Sequence, residues 1–138
     1  MDYGSVRLFI IENGISISAS RLSDGTLRFI ALGAILFNPT PPPLVCIEEP
    51  ELGLHPDLIS SLAEALKAAS ERMQIIITTH SANLVDCFND QPEAIIVAEK
   101  RDGITHLERL DPEKLAPWLA KYRLGDLWTS GDIGGNRW

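Results

Sequence analysis

The order of patterns along the chain predicts an α/β fold. Two short, almost wholly apolar runs, "LVCIE" at 44–48 and "QIIITTH" at 74–80, read as strands buried on both faces of a parallel sheet. Between them, "HPDLISSLAEALKAASERM" repeats its apolar residues at helical spacing. Ligands in sheets built this way bind beyond the carboxyl ends of the strands. The strand ends therefore become the place to look for chemistry.

The elements follow in order. "VRLFIIENGISISAS" predicts a hairpin, because two β-rich runs flank Asn13-Gly14, the dipeptide best suited to a tight I′ turn. In "RLSDGTLRFIALGAILF", Ser23 is a good N-cap and the residues from Leu27 to Phe37 are apolar nearly all round, which predicts a buried helix. "NPTPPP" ends it, since proline cannot continue a helix, and makes a stiff connector. After the first apolar strand, Pro56 suits a first helical turn. Ile59, Leu62, Leu66, Ala69 and Met73 then form one stripe, with Glu64, Lys67 and Glu71 outside it. "SANLVDCF" predicts a short helix capped by Ser81. "EAIIVAE" and "ITHLERL" predict two strands joined across 100–103. "DPEKLAPWLAKY" predicts a helix capped by Asp111, with Pro112 at its start. The glycine-rich tail "GDLWTSGDIGGNRW" predicts an irregular arm.

Composition excludes several classes. The 138 residues suffice for one domain with a core, and 45% hydrophobic content argues for a globular chain. A net charge of −7 speaks against a basic nucleic-acid binder. Cys46 and Cys87 fit neither a disulfide framework nor a zinc site and suit a reducing cytosol. The longest apolar stretch, 29–37, is too short to span a bilayer, and the first residues lack a signal-peptide pattern.

Three places carry chemistry. Glu48 and Glu49 end the first apolar strand, where unsatisfied acid would be costly unless a cation or a reaction uses it. "LSDGTLR" (22–28) opens a helix, whose free N–H groups and dipole make an anion site, and Gly25 permits close backbone approach. His80, in "TTHS", ends the second strand and can hydrogen-bond a phosphate oxygen or a water. Glu51 lies past Pro50 and is expected to point elsewhere. Each feature alone also reads as ordinary structure: solvated acids, a plain N-cap, a half-buried histidine.

Together and in this order, the three resemble the ATPase core of the ABC superfamily. They are most similar to the SMC- and RecF-like branch of AAA-type ATPases that includes phage-defence and overcoming-lysogenization-defect proteins. "LSDGTLR" resembles the signature motif, "LVCIEEPELGLHP" the Walker B motif with the D-loop, and "IIITTHS" the switch histidine. The resemblance runs from about residue 20 to 100, and the final "YRLGDLWTSGDIGGNRW" is similar to the carboxyl end of such proteins. It implies a partial P-loop NTPase fold in three layers, with a mostly parallel sheet and an added N-terminal hairpin. The single domain then divides into the hairpin (1–20), signature helix and connector (21–43), Walker B and switch core (44–110), and C-terminal helix and tail (111–138).

The resemblance also implies roles. Glu48 would be the acid associated with Mg²⁺, Glu49 the catalytic base and His80 the γ-phosphate switch. Gly53, Leu54 and His55 would form the D-loop. Ser23 and Gly25 would contact the γ-phosphate of ATP held by the opposite subunit of a two-headed sandwich. Three residues depart from the usual pattern: Glu48 and His55 stand where many relatives have Asp, and Asp24 replaces the first signature glycine.

The largest departure is that no "GxxxxGK[ST]" occurs in these 138 residues. That loop cradles the α- and β-phosphates. The chain is therefore expected to act as a carboxyl-terminal lobe, whether as a shortened chain, half of a divided gene or a remnant. Its expected partners are a P-loop-bearing segment or a second copy, in the cytoplasm and away from membranes. Alone it is expected to turn over little ATP, and DNA contact would fall to the rest of the protein. The P-loop strand would belong between the strands at 75–79 and 94–98, so that its loss leaves open edges, a closed gap, or a slot for a second chain. Two other readings stand beside this one: a non-catalytic interaction module, and a metal-dependent hydrolase or nuclease using Glu48, Glu49 and Glu51.

Overall fold

A computed structural model describes residues 7–135. Residues 1–6 and 136–138, with the ends of the expected hairpin and tail, lie outside the described residues.

β1 (Phe9–Glu12) and β2 (Ile15–Ser18) pair antiparallel, from Phe9 opposite Ser18 to Glu12 opposite Ile15. Asn13 and Gly14 both take positive φ, 51° and 79°, as a I′ turn requires. α1 (Asp24–Leu36) starts where expected, with Ser23 Oγ accepting the Thr26 N–H at 3.1 Å. It is not the buried helix its all-round apolar sequence predicts. Only Leu32 and Leu36 are buried, because one face alone meets the rest of the described chain. At its other end Arg72 donates to the carbonyls of Leu36 (2.6 Å) and Asn38 (2.9 Å), satisfying acceptors that a helix end leaves open.

β3 (Leu44–Glu48) and β4 (Gln74–Thr78) form the predicted parallel pair, with Leu44 opposite Gln74 and Glu48 opposite Thr78. α2 (Ile59–Ser70) crosses between them after a short 3₁₀ turn, Pro56–Leu58. Its predicted stripe is the centre of the core. Leu62, Leu66, Ala69 and Met73 pack with Leu32 and Leu36, and Val45, Ile47, Ile75 and Ile77 close over them. Each enclosed leucine contributes about 2 kcal/mol through the area it removes from water.

The strands were expected to be covered on both faces, and here the structure differs. Val45, Ile47, Ile75 and Ile77 face the core, whereas Leu44, Cys46 and Ile76 alternate outward and are exposed. Among the described residues β3 and β4 pair only with each other, so both outer edges are open. Among the described residues β4 does not pair across the expected gap with the strand at Ile96–Arg101, since that strand pairs with Ile104–Arg109 instead.

α3 (Ala82–Asp86) follows β4 and is capped by Ser81, whose Oγ accepts the Leu84 N–H at 3.3 Å. β5 (Ile96–Arg101) and β6 (Ile104–Arg109) make a second antiparallel hairpin, turning at Asp102 and Gly103 with positive φ. α4 (Pro112–Leu119) is capped by Asp111, as predicted.

The tail corrects the expected irregular arm, for residues 124–130 form a helix, α5 (Leu124–Ser130). Its glycines do not prevent this, because its first turn is held from outside. Asn89 Oδ1 accepts the Leu124 N–H and Asp86 Oδ1 the Gly125 N–H, both at 2.7 Å. Gly131, at φ 86°, ends it in the left-handed region. Leu124 then packs with Val85 and Leu110, a third cluster that fixes α5 to α3 and the second hairpin. Among the described residues no helix is long and apolar enough to cross a membrane.

Candidate functional site

In-register parallel pairing brings the ends of β3 and β4 side by side, and the Glu49 N–H donates to the Thr78 carbonyl at 2.9 Å just beyond them. Glu49 itself has φ 42°, in the left-handed region. This breaks the strand alternation, so Glu49 does not simply face opposite to Glu48. Its Oε1 stands 4.0 Å from His80 Nε2, with the side chains 34% and 54% exposed. A carboxylate able to take a proton, beside an imidazole able to donate a hydrogen bond, suits the activation of a water or the orientation of an anionic oxygen.

After Glu49 the chain makes two tight turns around the buried Pro50, with Leu52 N–H to Glu49 O and Leu54 N–H to Glu51 O, each 3.0 Å. Gly53 (φ 76°) supplies the second reversal. This turn meets the start of α1. A Cβ on Gly25 would lie 2.4 Å from the Gly53 carbonyl oxygen, so only glycine allows the approach. Arg28, one turn further along α1, donates from Nη2 to the Glu49 carbonyl at 2.9 Å.

Glu51 does not point away, as expected from its place after Pro50. Its Oε1 accepts from Thr79 Oγ1 at 2.5 Å, and the same hydroxyl accepts the Ser81 N–H at 3.0 Å. The 49–52 turn is thereby tied to the two residues flanking His80. Oε2 of Glu51 is buried with no hydrogen-bond partner among the described residues.

Of the residues singled out in the sequence, Glu49 and His80 come together, and Gly25 meets the turn that follows Glu49. Ser23, exposed, is engaged in capping α1. His55, 70% exposed, caps the 3₁₀ turn, where its Nδ1 accepts the Asp57 N–H at 3.3 Å. Glu48 is exposed at the end of β3, opposite Thr78. An open carboxylate is the hard oxygen donor that Mg²⁺ prefers, and a single such group suits an ion that keeps most of its water. Among the described residues no three His, Cys, Asp or Glu side chains gather to hold a metal ion.

The tethers from Arg28 to the Glu49 carbonyl and from Thr79 to Glu51 escaped sequence reasoning. Their two ends lie 21 and 28 residues apart, and nothing local signals such pairings.

Residues 2–86 match the family model described as "AAA domain, putative AbiEii toxin, Type IV TA system". The chain is 38% identical over 95 residues to the Old nuclease of Escherichia phage P2, an alignment that covers 61% of this chain and 16% of that protein. It is 36% identical over 108 residues to the energy-coupling factor transporter ATP-binding protein EcfA of Methanosphaera stadtmanae, covering 72% of this chain and 38% of that one. The chain therefore spans well under half the length of these curated relatives. A solved structure from work on ATP-driven dimerization and DNA-stimulated activation of SMC ATPases superposes with a TM-score of 0.62 at 19% identity, over 86% of this chain and 73% of that one.

Proposed function

The chain belongs to the AAA-domain family described as putative AbiEii toxin, Type IV TA system, and on that premise we propose that it supplies one lobe of an ATP-hydrolysing head. It is a mixed α/β domain of the ABC- and SMC-like ATPase kind. The observation that carries the reading is the approach of Glu49 to His80 at 4.0 Å, beyond the carboxyl ends of two parallel strands.

Bound Mg²⁺–ATP supplies the electrophilic γ-phosphorus and the charge neutralisation that phosphoryl transfer needs. Glu49 accepts the proton of the attacking water. His80 donates a hydrogen bond to the terminal phosphate and orients it. Glu48, an exposed carboxylate at the end of β3, is the residue that would hold the Mg²⁺. Ser23 and Gly25 would present the first turn of α1 to the terminal phosphate on a second head, and His55 would contribute from the D-loop turn. The α- and β-phosphates need a cradle from outside these 138 residues, since no GxxxxGK[ST] occurs in them.

Two further points belong to the same reading. The exposed Leu44, Cys46 and Ile76, with the open edges of β3 and β4, favour association with a P-loop-bearing segment or a second copy. The likeness to the Old nuclease and to the DNA-stimulated SMC ATPases favours work near DNA by the whole protein, as an ATP-dependent maintenance or defence factor. Two free cysteines suit a cytoplasmic setting.

The test is Glu49→Gln in the protein completed by its P-loop-bearing segment. ATP turnover should fall by about 10²–10⁴, the usual contribution of a positioned base, while ATP-dependent association persists. Turnover at the wild-type rate would remove Glu49 from this role.

A further inference from the structure

Three non-glycine residues among those described have positive φ: Asn13, Glu49 and Asp102. Asn13 and Asp102 sit in hairpin turns before glycines and are of the types that tolerate this backbone. Glu49 has neither excuse. A residue held in a sparsely populated conformation persists only where its surroundings over-determine it.

The restraints on Glu49 can be named. Its N–H donates to Thr78 O at 2.9 Å, and its carbonyl accepts the Leu52 N–H at 3.0 Å. Both partners are backbone. The third restraint is a side chain, the Arg28 guanidinium, which donates to the same carbonyl at 2.9 Å in a part-buried position. A charged donor makes this the stronger kind of hydrogen bond. Arg28 comes from α1, whose first turn carries Ser23 and Gly25 and touches Gly53 through the glycine contact. α1 therefore grips the 49–53 turn at two points, one of them the carbonyl of the strained residue.

We infer that Arg28 is a positioning residue: its guanidinium holds the Glu49 peptide in the left-handed conformation that aims the Glu49 carboxylate at His80, and so passes the position of the α1 first turn to that carboxylate. The inference rests on the proposed base role of Glu49 for its functional meaning, but not for its geometry. A plain structural tether would cost stability on removal without any special dependence on the Glu49 backbone.

The experiment uses the 138-residue chain and measures the φ-sensitive backbone couplings and shifts of Glu49 by NMR in wild type, Arg28→Ala and Arg28→Lys. The alanine variant should lose the positive-φ signature at Glu49, and the lysine variant, which keeps one donor, should recover part of it. The same exchange is then made in a Glu49→Gly background, where the left-handed backbone needs no support. There the loss of thermal stability caused by Arg28→Ala should shrink by at least about half. An unchanged Glu49 signature in Arg28→Ala, or an equal stability loss in both backgrounds, overturns the inference. If Arg28→Ala alone does not fold, a folded Arg28→Ala/Glu49→Gly chain supports it and an unfolded one overturns it. In the completed protein, Arg28→Ala should lower kcat on the order of tenfold to a hundredfold with KM for ATP little changed. The NMR arm judges the hold of Arg28 on Glu49, and Glu49→Gln turnover judges the base role, so the two fail separately.

Discussion

His80 Nε2 lies 4.0 Å from Glu49 Oε1, although the two residues are 31 positions apart and follow different strands. That separation is too long for a strong ion pair and leaves both groups accessible. It is a spacing suited to a third participant rather than to mutual stabilisation. His80→Ala should therefore separate function from fold. In the chain itself, thermal unfolding should stay within about 0.5 kcal/mol of wild type, as for other exposed positions. In the completed protein, kcat for ATP hydrolysis should drop by about a hundredfold. A large stability loss would instead make His80 a structural residue.

Gly25 tests the contact between α1 and the 49–53 turn. Its substitution by alanine would put a Cβ 2.4 Å from the Gly53 oxygen, where backbone rather than a flexible side chain must yield. Gly25→Ala should cost about 1–3 kcal/mol, as overpacking of a close contact does, although alanine is the better helix former. Chemical denaturation of the two chains gives the sign directly, and a stabilised Gly25→Ala would show that the approach is looser than described.

On the acid side, the pH dependence of stability has a legible contributor. The hydrogen bond from Lys67 Nζ to Asp90, 2.7 Å long, lowers the Asp90 pKa below the ordinary carboxylate value. A folded-state pKa below the unfolded one gives stability that is present above the unfolded value and is lost as pH falls through the folded one. Asp90→Asn should thus melt below wild type near neutrality and converge with it in acid. The gap should be small and shrink in high salt, because Asp90 is exposed. Parallel melting curves against pH, with a constant gap down to strong acid, would remove the ion pair as its cause.

What the sequence revealed divides by range. The caps at Ser23, Ser81 and Asp111 and the turn at Asn13-Gly14 were readable because each is settled within about four residues. The α2 stripe was readable because burial of one helix face leaves a period in the sequence. The open face of β3–β4 was not. An apolar run shows that a strand is built to be covered, not what covers it. α5 was misread for the same reason, since the groups that hold its start, Asp86 and Asn89, come from 35 to 39 residues earlier. The site divides likewise. The rule for strand ends located Glu49 and His80, but the tethers that shape the turn, Arg28 and Glu51, are long-range and left no pattern.

The two cysteines offer a direct view of that open face. Cys46 is exposed on it beside Leu44 and Ile76, whereas Cys87 is half-buried and its Sγ contacts the Asn83 carbonyl at 3.3 Å. Burial pushes the Cys87 thiol pKa up, against the opposing pull of Arg123, so less of the reactive thiolate is present near neutrality. Cys46 should therefore be alkylated first, and Cys87 should gain rate only as pH rises. The informative comparison is across protein concentration. If the face of β3 and β4 is where a second copy or a P-loop-bearing segment adds on, that partner removes Cys46 from solvent without touching Cys87. The Cys46 rate should then fall as concentration rises, or on adding the completing segment, while the Cys87 rate holds steady. Mass spectrometry of the alkylated chain reads both sites in one sample. A Cys46 rate that stays constant under every condition would place any association elsewhere on the molecule, and would mean that these apolar residues are tolerated at the surface rather than kept for a partner.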